Sequence, residues 1–61
     1  MANHIRINEK TPNGGAYSEI FFFDEAGNAV DEEKADRCVI RECKANGDLL
    51  FETWATVNKP Y

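Results

Sequence analysis

The chain is short of the side chains that do chemistry. Among its 61 residues there is one histidine, His4, and there are two cysteines, Cys38 and Cys43. A zinc site takes about four Cys or His ligands, and three candidates in all do not make one. His4 has no Cys or Asp at a spacing that makes a dyad, and a nucleophilic thiol needs a base and an electropositive setting. The acidic stretch from Asp24 to Glu33 fails as a calcium loop, because counting back from Gly27 puts Phe22 where the loop's first Asp belongs. Glu32 and Glu33 form a carboxylate pair, but so short a chain has no room for a deep cleft to shift their pKa values. No catalytic residue, cofactor or metal site is expected.

Long apolar runs are also missing. No segment approaches the roughly 18 consecutive apolar residues of a membrane helix. The opening MANHIRINEK has no apolar core of a secretory signal. A cytoplasmic location is the expectation, and the cysteines agree with it. Five residues apart on one strand, they fall on opposite faces and roughly 16 Å from each other. A disulfide needs Cα atoms within about 7 Å. Two free thiols suit a reducing compartment. Prolines number only two and no low-complexity run interrupts the chain, which at 43% hydrophobic residues has a globular composition.

What is present reads as a small β domain over residues 1–61, with 1–3 and 58–61 loosely held. The run from Thr11 to Ala16 combines Pro with Asn-Gly and Gly-Gly, a strong turn. Asp24 to Asn28 and Lys44 to Asp48 each place Gly where a three-residue hairpin loop needs a left-handed residue. Asn46-Gly47 also fits a two-residue type I′ turn, which would move the register by one. His4–Glu9, Tyr17–Phe23, Arg37–Cys43 and Leu49–Val57 are β-branched and aromatic, as strands are. Asp31 is placed to cap a short helix, with Glu32 and Glu33 in its first turn. The spacing therefore predicts a mainly β fold (α+β at most): a four-stranded antiparallel meander with one helical turn around residues 31–36.

Three phenylalanines in a row make both faces of that sheet apolar. Phe21 and Phe23 point one way, Ile20 and Phe22 the other. On the last strand Leu49, Phe51, Ala55 and Val57 oppose Leu50 and Trp54. Each large apolar side chain left in water forgoes roughly 1.5–3 kcal/mol, so both faces call for cover. Strong curling of the sheet, the acidic connection, or a second molecule would supply it.

The net charge of −4 is concentrated. Asp24, Glu25, Asp31, Glu32, Glu33 and Asp36 stand against Lys34 alone, a net of −5 over residues 24–36, leaving five acids and six bases elsewhere. These observations predict a non-enzymatic protein-interaction module. Phe21, Phe22, Phe23 and Trp54 are its expected apolar anchor. The six acids are its docking patch for a basic protein, a nucleic-acid-binding one included, in the manner of a phosphate mimic or inhibitor from a phage or mobile element. In turn chemistry alone, the runs 21–28 and 41–48 resemble short bacterial and phage proteins. The alternative is a structural homodimer that buries the aromatic face. Direct binding to single-stranded nucleic acid is disfavoured. It needs the fold to segregate Arg6, Lys10, Arg37, Arg41, Lys44 and Lys59 from the eleven acids.

Overall fold

The structure, a computed structural model, describes residues 4–57. The expected loose ends at 1–3 and 58–61 lie outside them. Strands β1 (His4–Ile7), β2 (Tyr17–Phe23), β3 (Arg37–Cys43) and β4 (Leu49–Thr56) form one antiparallel sheet in chain order. The fold is mainly β, as the sequence predicts. The helical turn shrinks to a single 3₁₀ turn, Glu32–Lys34, whose preceding Asp31 makes no side-chain capping bond. β1 stops at Ile7, two residues before its expected end.

The corners at Asp24–Asn28 and Lys44–Asp48 are both the three-residue kind. Lys44 N–H donates to Asp48 O (2.9 Å) and Gly47 N–H to Lys44 O (2.8 Å), and only Gly47 has a positive φ (95°). Asn46 does not, which excludes the type I′ turn that needs two such residues. The Asp24–Asn28 corner repeats the pattern, with Gly27 at φ 89°. The register after the second corner then slips: Cys43 pairs with Leu49, but Glu42 pairs with Phe51. A bulge at Leu50 absorbs the extra residue. It also changes the expected phase of the strand, because Leu49 now faces the same way as Cys43 and Phe51 does not.

One face of the sheet is covered by the connection between β2 and β3. After Gly27 the chain doubles back, and Ala29 bridges to Phe23 on the edge of β2 away from β3. The segment then crosses beneath the sheet. Val30, Ala35 and Val57 pack with Ile5, Ile20 and Ile40 around buried Phe22 and Cys38, and Ala35 is wholly buried. Of the three ways to cover a face, the acidic connection is the one that covers this face.

The β1–β2 loop anchors the far end. Glu42 is buried, and its carboxylate accepts from Asn13 Nδ2 (2.7 Å), from Asn13 N–H (3.2 Å) and from the Thr11 hydroxyl. Gly15 N–H donates to Thr11 Oγ1 at 2.7 Å. A side chain at Gly15 would meet that oxygen and the Cys43 carbonyl, at 2.7 and 3.0 Å, so close approach reserves the position for glycine.

Candidate interaction surface

Register assigns the opposite face. Tyr17, Glu19, Phe21 and Phe23 of β2 align with Cys43, Arg41, Val39 and Arg37 of β3. Beyond them lie His4 and Arg6 on β1, and Glu52, Trp54 and Thr56 on β4. The rings contact one another and the cations between them. His4 stacks on Phe21 (centroids 4.6 Å apart, 12° between planes), and Phe23 meets Trp54 at 5.7 Å. The Arg6 guanidinium sits 4.0 Å from the Tyr17 ring centre and that of Arg41 5.5 Å from Phe21. Between Phe21 and Trp54 in the register, Val39 is buried on this outer face.

All three arginines, Arg6, Arg37 and Arg41, therefore share the aromatic face. Its two carboxylates are engaged. Glu19 meets His4 Nε2 at 2.8 Å, and Glu52 accepts from Arg41 Nε at 2.9 Å and from Trp54 Nε1 at 3.3 Å. The His4–Glu19 pair was hidden in the sequence because its members are 15 residues apart. The Tyr17–Phe23 strand and its turn were the available signal, since antiparallel return sets Glu19 beside Arg6 and near His4. No hydroxyl or thiol joins that pair among the described contacts.

The expected aromatic anchor divides. Phe22 is buried in the core, whereas Phe21, Phe23 and Trp54 share the outer face. A patch holding all four does not exist, because alternation sends Phe22 through the sheet. The acids divide as well. Glu25, Glu32 and Glu33 are exposed, and Asp31 is half-buried. Asp24 accepts from Asn28 N–H (2.9 Å) and Nδ2 (3.3 Å), bonds that fold its own corner and hold its carboxyl below the ordinary value. The segment carrying Asp31, Glu32 and Glu33 lies across the core side, opposite Trp54.

What the sequence missed is the exposure of β4. All eight of its residues face water. Leu49 (53%), Leu50 (37%), Phe51 (48%) and Trp54 (56%) are four of the five large hydrophobics exposed among the described residues. Among the described residues β4 is also an edge of the sheet, with β3 as its one neighbouring strand. Val57 N–H donates to Asp36 O (3.0 Å), so alternation turns the peptide groups of Val57, Ala55 and Thr53 toward β3. Those of Glu52, Trp54 and Thr56 point outward. A shallow, open depression between Arg37, Trp54, Ala55 and Thr56 marks the same rim.

Among the described residues no cluster of three or more His, Cys, Asp or Glu is placed to hold a metal ion. No helix there is long and apolar enough to cross a membrane. Both cysteines are free and buried. No protein-family model, curated protein or solved structure matches the chain.

Proposed function

We propose that this chain is a non-enzymatic protein-interaction module that takes up a partner's β-strand along β4. The observation that carries the reading is the coincidence, on one strand, of an open hydrogen-bonding edge and four exposed large hydrophobics. Natural edges are blunted by Lys, Pro, bulges or extreme shortness. β4 has neither Lys nor Pro, and its bulge leaves Phe51–Thr56 regular. Its one charge, Glu52, is paired within the molecule. An added strand would bond to Glu52, Trp54 and Thr56 and set alternate side chains beside Trp54 above and Phe51 below. Glu25, Glu32 and Glu33 belong to the β2–β3 connection and not to this edge, and their negative field serves encounter with a separate, basic protein.

The test uses an alternating Thr/Val peptide with terminal lysines as the added strand. Binding shifts the emission of Trp54, the chain's one tryptophan, and slows amide exchange at Glu52, Trp54 and Thr56. Unchanged exchange at those three amides with up to about 1 mM peptide would remove the reading.

A second reading is favoured by one observation, the placement of all three arginines on the aromatic face. The fold carries out much of the segregation that nucleic-acid binding requires, although the whole chain is acidic. Bases would stack on Trp54 and Phe23 while the arginines meet phosphates. Titration with oligo(dT) then quenches Trp54, with a log–log salt slope of about −2 for three phosphate contacts. No quenching at low salt excludes it.

A further inference from the structure

We infer that the strand added to β4 is β4 of a second copy of this chain, antiparallel about a two-fold axis at Trp54. The inference rests on the strand-addition reading and names its partner. Glu52, Trp54 and Thr56 carry the free edge, and only outward residues can exchange hydrogen bonds across it, which admits an axis at any residue from Glu52 to Thr56. Trp54 is the one that sets tryptophan against tryptophan on one face and Phe51 against Val57 on the other. Centring on Trp54 pairs Trp54 with Trp54 of the second copy, Glu52 with Thr56 and Thr56 with Glu52. Centring on Glu52 instead sets two carboxylates against each other, which is destabilising.

The centred register is self-complementary on both faces. On the core side it places Phe51, exposed at 48%, opposite Val57 of the second copy, and Val57 is already packed against the core. The small core thereby continues across the axis. On the outer side the two Trp54 rings meet, extending the Phe23–Trp54 contact into a row of four rings. Glu52 keeps its bond to Arg41 and faces a threonine, so no like charges meet. The other edge offers no equal: β1 is four residues long and carries one large exposed hydrophobic, Ile7.

Sedimentation equilibrium from about 10 µM to about 1 mM, with amide exchange at both limits, tests the inference. The expected result is a dimer whose Glu52, Trp54 and Thr56 amides are slowed at high concentration, while Thr53 and Ala55 do not change. Thr56→Pro deletes an outward N–H without touching the β3 ladder, and it should weaken association about tenfold or more. A dimer whose edge amides still exchange rapidly would mean packing through the aromatic face and would overturn the inference. So would a monomer throughout the range. If that monomer still takes the Thr/Val peptide on its edge, strand addition stands and only the identity of the partner fails.

Discussion

Two glutamates on neighbouring strands, pointing to opposite faces, answer to different physics. Glu42 and Glu52 both accept charge-reinforced hydrogen bonds, but Glu42 does so buried, from Thr11 and Asn13, and Glu52 does so in the open, from Arg41. The Thr11 bond first, then those of Asn13, hold the Glu42 carboxyl below its ordinary 4.5, against the opposing effect of burial. A carboxyl with a lowered folded value contributes stability that is complete above its unfolded value and is lost as pH falls through the folded one. The urea midpoint of the wild type should therefore drop below about pH 4.5, and Glu42→Gln should flatten that limb. An unchanged acid limb in the variant would show that Glu42 is not its source. The identities of Thr11, Asn13 and Glu42 gave no warning of this contact. Residues 29 positions apart meet only because the loop folds back onto β3.

At the scale of elements, β2 shows how one strand serves two ends. Its three phenylalanines are equivalent in composition and opposite in duty. Phe22→Ala leaves a hole against Ala35 and Cys38 and should cost about 3–5 kcal/mol. A domain of this size has roughly 3–9 kcal/mol in total, so most of the molecule's stability goes with it. Phe23→Ala removes a partner of Trp54 on the open face and should cost about 1–2 kcal/mol, being half-buried. Thermal unfolding followed by circular dichroism separates the two, and equal losses would contradict the assignment of faces. The strands and corners were legible because alternation and Gly placement are local. The bulge at Leu50 was not, because it reconciles the register of the corner with that of the ladder, and neither is visible from the other.

For the whole molecule, the distribution of charge matters more than its sum. The acidic connection lies across the core side, the arginines lie on the aromatic side, and the net of −4 describes neither. Val30 and Ala35, not the acids, hold the connection down. The carboxylates of Asp31, Glu32 and Glu33 accept no hydrogen bond among the described residues. Replacing all three by amides should thus leave the melting temperature within about 2 °C, while slowing association with a basic protein partner at low salt. A large fall in melting temperature would show that their charge is structural. Undiminished association would show that it is only solvation.

The residues by themselves determined four strands, the three corners, an acidic connection and an excess of apolar faces, because periodicity and turn chemistry act between near neighbours. Which face that connection covers was decided only in three dimensions, by Ala35 reaching Phe22 and Cys38 from across the sheet. The gathering of the arginines and the baring of β4 were decided there too. Both depend on which strand lies beside which, and among the described residues β4 has β3 as its one neighbouring strand.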